Sequence, residues 1–240
     1  VMRFKQMAEE AAAKIYAHGH IPIVTGGTGF YIQALLYDVS FSAHDESETY
    51  RKELKALAET EGKEYLHNML KEVDPAYAES VHYNNVKRVI RALEFYHETG
   101  ERLSEHNEEQ REKISPYNFA CFVLDQHRNI LYDRINLRVE QMMEEGLLEE
   151  VKGLIEDGCS KDMISMQGIG YKEFFPYFEG KCTLEETVEN IKKDTRHFAK
   201  RQLTWFRREK DIIWLSRQDY ADEEKILEKT LEICKQKGIY

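Results

Sequence analysis

The sequence predicts an α/β protein: a parallel-sheet core interrupted by an all-helical segment. Three observations predict it. Residues 2–36 read helix, short apolar run, glycine-rich turn, helix, which is the order of an α/β layer with parallel strands. From about residue 39 to 118, helical patterns follow one another with no strand signal between them. The strand signal then returns at Phe119–Leu124 and again at Asp211–Leu215, with helical patterns between and after.

Residues 2–18 carry Phe4, Met7, Ala8, Ala11 and Ile15 at helical spacing, and Gly19 stands where a left-handed residue ends a helix. Ile21-Pro22-Ile23-Val24-Thr25 has the length and apolarity of a buried strand. Gly26-Gly27-Thr28-Gly29 is the turn, and Phe30–Leu36 resumes helical spacing. Asp74-Pro75 reads as an N-cap with proline at the first helical position, and Asn84 or Asn85 can cap a helix over Val86–Thr99. Residues 100–116 are polar and read as a connector. Beyond the Phe119–Leu124 strand, helices are expected over Ile130–Glu145, ending at Gly146, and Leu147–Asp157, ending at Gly158. Thr183-Leu184-Glu185-Glu186 is a capping box opening a long helix that runs to about Lys210. A strand at 211–215 and a helix over 222–237 close the pattern. The expected domains are a first core part (1–38), a helical insertion (39–118) and a second core part (119–240).

The 240 residues can bury a sizeable core, and 42% hydrophobic against 32% charged is the balance of a globular protein. Lys and Arg number 34 against 44 Asp and Glu, a net charge of −10, so binding of nucleic acid by overall charge is excluded while a local basic stripe is not. The four cysteines (Cys121, Cys159, Cys182, Cys234) form no C-x-x-C pair, which argues against a zinc ribbon or a disulfide scaffold. No apolar run is long enough to span a membrane, and there is no signal peptide, so a cytoplasmic chain is expected. It opens at Val1 directly into a helical pattern, as though residues upstream were missing.

Five segments can carry chemistry. The turn Gly26–Gly29 between a strand and a helix start presents backbone N–H groups and the positive end of a helix, with the Thr28 hydroxyl as a further donor, which makes an anion site. A plain turn would use the same glycines, and no Walker A motif occurs. Arg134 and Arg138, four apart on one helix, share a face and can clamp a diphosphate, or simply meet solvent. Lys192–Lys210 holds eight bases and two acids with His197, Phe198, Trp205 and Phe206 interleaved, whereas 140–157 holds seven acids and one lysine. Such a stripe suits a nucleic-acid backbone, and equally the solvated face of a core helix. Ser165–Glu173 combines two glycines, Gln167 and Tyr171 in a loop that lets another chain approach, and Val86–Glu94 carries Lys87, Arg88 and Arg91.

Together these segments resemble the bacterial tRNA dimethylallyltransferases, the IPP transferase family. The resemblance lies in I-P-I-V-T-G-G-T-G-F-Y-I-Q-A-L-L (21–36), K-R-V-I-R-A-L-E (87–94) with E-T-G (98–100), L-Y-D-R-I-N-L-R-V (131–139), M-Q-G-I-G-Y-K-E (166–173) and A-K-R-Q-L-T-W-F-R (199–207), in the family's order, and covers about residues 2–215. It implies a nucleotide-binding core of the P-loop NTPase type with a helical insertion. It also implies transfer of a dimethylallyl group from dimethylallyl diphosphate to N6 of the adenosine on the 3′ side of the anticodon, in tRNAs reading codons that begin with U. The target base is flipped into a channel that the diphosphate enters from the other end, because N6 cannot be reached in a stacked loop.

Carried onto this sequence, the resemblance makes Thr28 and Arg138 catalytic, with Gly26, Gly27, Thr28, Arg134 and Arg138 around the diphosphate. Lys87, Arg88 and Arg91, then Met166, Gln167, Gly168, Ile169, Gly170 and Tyr171, then Lys200, Arg201 and Arg207 match tRNA-contacting segments. Mg2+ is implied as cofactor, the anticodon stem-loop of tRNA as partner, and a monomer without membrane contact as the working form. The family's Walker-A-like loop, and its strand ending in an Asp-Ser pair whose Asp acts as base on N6, are not found in the sequence. The chain is expected to begin after both, and these residues alone to be inactive. Two alternatives stand beside this reading: an isopentenyltransferase acting on free adenine nucleotides, and a non-catalytic tRNA-binding protein.

Overall fold

The computed structural model describes residues 1–37 and 48–240, so the expected start of the insertion at residue 39 lies outside the described residues. Two compact units result: residues 1–24 with 30–117, and residues 25–29 with 118–240.

The first unit is helical among its described residues: α1 (Met2–Ala17), α2 (Gly29–Leu36, whose first residue belongs to the second unit), α3 (Glu48–Thr60), α4 (Lys63–Val73), α5 (Pro75–Ser80), α6 (Val86–Thr99) and α7 (Leu103–Glu112). Its core gathers Leu54 from α3, Leu66 and Leu70 from α4, and Val89, Ile90, Leu93 and Phe95 from α6. Helix α6 has the expected bounds, because its apolar stripe repeats at helical spacing and Gly100 takes the left-handed conformation (φ 72°) that ends it. Asp74 is buried and caps two helices. Its carboxylate accepts from Tyr77 N (3.0 Å) in α5, and from Ser104 N (2.9 Å) and Oγ (2.6 Å) in α7. Buried Glu94 is met by both nitrogens of an Arg51 fork, at 2.6 and 2.9 Å.

The second unit holds β1 (Cys121–Asp125), α8 (Arg128–Glu144), α9 (Leu147–Glu156), α10 (Phe174–Phe178), α11 (Leu184–Phe206), β2 (Ile212–Ser216) and α12 (Glu223–Gln236). The strands pair in parallel, Cys121 against Ile212 through Asp125 against Ser216. Helix α11 opens with the expected capping box: Thr183 Oγ1 accepts from Glu186 N (3.2 Å) and Glu186 accepts from Thr183 N (2.8 Å). Helices α8, α9, α10 and α11 close over a core of Val139, Leu147, Val151, Met166, Phe174 and Ile191.

Two expectations need correction. Residues 21–25 form no strand: among the described residues only β1 and β2 pair, and Ile23 stands 86% exposed. An apolar run becomes a strand only where a partner satisfies its backbone. Residues 100–116 are more than a connector, since α7 forms there, anchored by buried Leu103 and by the Asp74 cap across the chain.

Candidate active site

The two strands end side by side at Asp125 and Ser216, and a cavity of about 970 Å³ opens just past their carboxyl ends. In parallel α/β sheets this is the edge at which ligands bind. Asp125 and Gln126 line it from the end of β1, Arg217 from the end of β2, and Arg134 and Arg138 from α8. Ile169 and Gly170 border it, and Ile191, Thr195, Phe198 and Leu203 of α11 form a wall. The cavity is thus largely apolar, with three arginines (Arg134, Arg138, Arg217) and two carboxylates (Asp125, Glu223) in its lining.

The arginine pair keeps the geometry its spacing predicts. Arg134 donates to Gln126 Oε1 (3.1 Å), and Arg138 reaches Glu145 at 3.2 Å with both side chains more than half exposed. An exposed pair is worth at most about 1 kcal/mol, so little holds Arg138 back from an incoming anion. Arg217, paired with Glu223 at 2.8 Å, is a third cation that motif reading passed over. The signal was present: it follows the last expected strand, at the end where parallel sheets place ligands.

The glycine turn belongs to the same unit. Gln202 of α11 donates to the Gly27 carbonyl (2.8 Å), and Gly29 is buried against the Trp205 ring. Residues 191, 195 and 198, which wall the cavity, and 202 and 205, which touch the turn, recur every three or four residues and so form one stripe of α11. Thr28 itself is exposed.

The 166–171 segment divides. Met166 is a core residue, Gln167 donates to the Lys161 carbonyl, and Gly168 is exposed. Ile169 and Gly170 reach the cavity. Gly170 adopts φ 97°, which explains glycine there, and its N–H is held by Glu173 Oε2 at 2.8 Å. The Tyr171 hydroxyl donates to Glu150, a bond that holds it above the usual tyrosine range. Burial pushes the Glu173 carboxyl up, partly offset by the Gly170 N–H and by Lys172, which sits 3.5 Å from Glu173 and 3.4 Å from Asp194.

Of the basic stretch on α11, Lys192 is turned to Glu140 and Glu189 (2.9 Å each) and Arg196 to Asn136. Lys193, Lys200, Arg201, Arg207 and Arg208 are exposed and make no ion pair among the described residues; Arg201 lies over the Phe198 ring at 5.7 Å. In the first unit, Lys87, Arg88 and Arg91 stand exposed on α6, also without an ion pair among the described residues.

A sequence profile of the IPP transferase family matches residues 1–209. The chain belongs to this family. The tRNA dimethylallyltransferase of Lachnoclostridium phytofermentans is 54% identical over 239 residues, covering 100% of this chain and 76% of that protein. That of Acetivibrio thermocellus is 47% identical over 227 residues, covering 95% of this chain and 72% of the relative. Among solved structures, the full-length tRNA isopentenylpyrophosphate transferase of Bacillus halodurans is 39% identical with a TM-score of 0.67, covering 98% of this chain and 73% of that one. A eukaryotic dimethylallyltransferase solved in the act of modifying tRNA is 30% identical with a TM-score of 0.71, covering 90% of this chain and 56% of that one. The likeness establishes the expected fold class, an IPP transferase core of the P-loop type with a helical insertion.

The magnesium implied by the family has no ready seat. Among the described residues no three His, Cys, Asp or Glu side chains group to hold a metal ion. The two cavity carboxylates are already engaged, Asp125 with the Gln126 N–H (2.8 Å) and Glu223 with Arg217. These residues do not fit a protein-built magnesium site. No described helix is long and apolar enough to cross a membrane.

Proposed function

We propose that this IPP transferase moves a dimethylallyl group from dimethylallyl diphosphate to N6 of the adenosine on the 3′ side of the anticodon, in tRNAs reading codons that begin with U. The observation that carries the reading is the convergence of Arg134, Arg138 and the Ile169–Gly170 edge on one apolar-walled cavity at the carboxyl ends of two parallel strands. The apolar wall suits a five-carbon chain and a purine ring, and the guanidiniums suit a diphosphate. As N6 attacks the allylic carbon a nitrogen–carbon bond forms, the carbon–oxygen bond breaks, the diphosphate leaves with the bonding pair, and the N6 proton passes to solvent water. The charge developing on the leaving oxygen would be met by Arg138 and Arg134 of the cavity lining, joined by the Gly26, Gly27 and Thr28 donors of the turn, which lies outside that lining on the same stripe of α11. Arg138 and Thr28 are the catalytic residues of this proposal.

In the proposed complex, tRNA is held by Lys200, Arg201 and Arg207 on α11, by Lys87, Arg88 and Arg91 on α6, and by the loop from Met166 to Tyr171, with buried Met166 as its anchor. Magnesium would enter on the diphosphate oxygens. A cytoplasmic monomer is the working form that fits a tRNA substrate.

The test incubates the full-length enzyme with unmodified tRNA and dimethylallyl diphosphate, then examines the nucleosides by mass spectrometry. Dimethylallylated adenosine in the anticodon loop is the expected product, and its absence overturns the proposal. Transfer to AMP in preference to tRNA would favour the free-nucleotide reading instead.

A further inference from the structure

The proposed diphosphate turn is held from behind by two residues of α11 to which its chemistry assigns no role. Gln202 Nε2 donates to the Gly27 carbonyl at 2.8 Å across 175 residues of chain. A Cβ on Gly27 would collide with that same amide, and a Cβ on Gly29 would fall inside the Trp205 ring. The turn is therefore glycine at both places because α11 presses against it, not because of a left-handed backbone.

The consequence follows from peptide geometry. No described peptide is cis, so the C=O of Gly27 and the N–H of Thr28 point in opposite directions within one rigid plane. With the carbonyl drawn to Gln202, the Thr28 N–H is turned away from α11, toward the side where Thr28 is exposed. Among the described residues no other hydrogen bond fixes this peptide plane, and a flip would offer a carbonyl oxygen to the anion in place of a donor.

We propose that Gln202 is a positioning residue for the diphosphate: its carboxamide fixes the Gly27–Thr28 peptide so that the Thr28 N–H is presented to phosphate oxygen, while Trp205 sets the depth of the turn. This rests on the transferase reading above, and assigns Gln202 to the diphosphate although its neighbours Lys200, Arg201 and Arg207 are assigned to tRNA. Glutamate in its place would set a carboxylate against a carbonyl oxygen and favour the flipped plane.

The experiment measures, for the full-length enzyme and its Gln202→Ala and Gln202→Glu variants, KM for dimethylallyl diphosphate, KM for tRNA, and inhibition by inorganic pyrophosphate. Gln202→Ala should raise both the KM for dimethylallyl diphosphate and the pyrophosphate inhibition constant roughly tenfold, Gln202→Glu more, with the KM for tRNA within about twofold of wild type. Should Gln202→Ala fold poorly, Gly27→Ala breaks the same bond from the other side. It should reproduce the same split, and the double variant should be no worse than the poorer single one. Unchanged pyrophosphate inhibition in the variants, or an equal rise in the KM for tRNA, overturns the role of Gln202 while leaving the transferase reading intact. A wild-type enzyme that transfers nothing overturns that reading first, and the inference with it.

Discussion

Replacing Arg138 by alanine separates chemistry from folding more cleanly than any other change at the cavity. Its side chain is 59% exposed and its one ion pair among the described residues, with Glu145 at 3.2 Å, is a surface pair. Removing it should cost stability no more than about 1 kcal/mol. At the cavity rim the same guanidinium is proposed to meet charge that appears only as the diphosphate departs, and losing one such donor costs about 2.7–4 kcal/mol of transition-state stabilisation. The expected result is a fall of roughly 10²- to 10³-fold in kcat/KM for dimethylallyl diphosphate. Lysine at this position keeps a point charge but loses the planar fork, so Arg138→Lys should fall between, at about tenfold. The assay is transfer of labelled dimethylallyl to tRNA with the diphosphate varied, beside a direct titration of tRNA binding and a melting curve. A kcat/KM within about twofold of wild type, or a loss appearing chiefly in tRNA affinity, refutes the assignment of Arg138 to the leaving group.

Other perturbations reach the remaining links. Asp74→Ala removes the acceptor of three hydrogen bonds and the cap of two helices, so urea unfolding should show a loss of about 2–4 kcal/mol, and a loss below about 1 kcal/mol would mean the caps are replaced by water. Glu173 has its carboxyl raised above the ordinary 4.5 by burial, so the native state holds that proton more tightly than the unfolded chain; its stabilising contribution is present below 4.5 and is lost as pH rises through the raised value. The neutral Glu173→Gln variant should therefore gain stability relative to wild type as pH climbs above 4.5, and a difference that stays flat from about pH 4 to 8 refutes the burial argument. Replacing Lys200, Arg201 and Arg207 together by alanine should lower the slope of log affinity for tRNA against log salt by about 2, and an unchanged slope removes these residues from the interface.

How far the sequence carries is visible in particular elements. Helix α6 was legible to the residue because an apolar stripe, an asparagine before it and a glycine after it all agree. The Thr183 capping box was legible for the same local reason. The Ile21–Thr25 run was misread because apolarity records what a segment needs, not whether a partner strand is there to supply it. Helix α7 was missed since its start is held by Asp74, 30 residues earlier, and local composition shows only polar residues. At the site, i, i+4 spacing put Arg134 and Arg138 on one face but left it open between an anion and solvent, and the structure shows that face lining the cavity. Gln202 and Trp205 were not: periodicity places them on one face of a helix but cannot say that the face meets a turn some 175 residues away. Lys192 and Arg196 looked like members of a basic stripe, yet they face α8, a distinction that depends on what lies opposite.

That sorting bears on which acceptor the enzyme uses. A helix C-terminus favours cations by itself, which gives Arg207 and Arg208 at the end of α11 a second reason to be basic beside the tRNA contact proposed for Arg207. The effect fades within the last turn, so it does not reach Lys193, Lys200 or Arg201. These stand exposed on α11 beyond the reach of its C-terminal dipole. None of the three makes an ion pair among the described residues, although the chain as a whole carries ten more acids than bases. A small nucleotide bound in the cavity would leave this stripe in water, whereas a phosphate backbone laid along it would neutralise several charges at once. In the proposed function, the unpaired part of the stripe, from Lys193 to Arg201, is the segment expected to separate tRNA from a free adenine nucleotide as acceptor. Neutralising it should narrow the preference between them, and an unaltered tRNA-to-AMP ratio of kcat/KM would show that the preference is set inside the cavity.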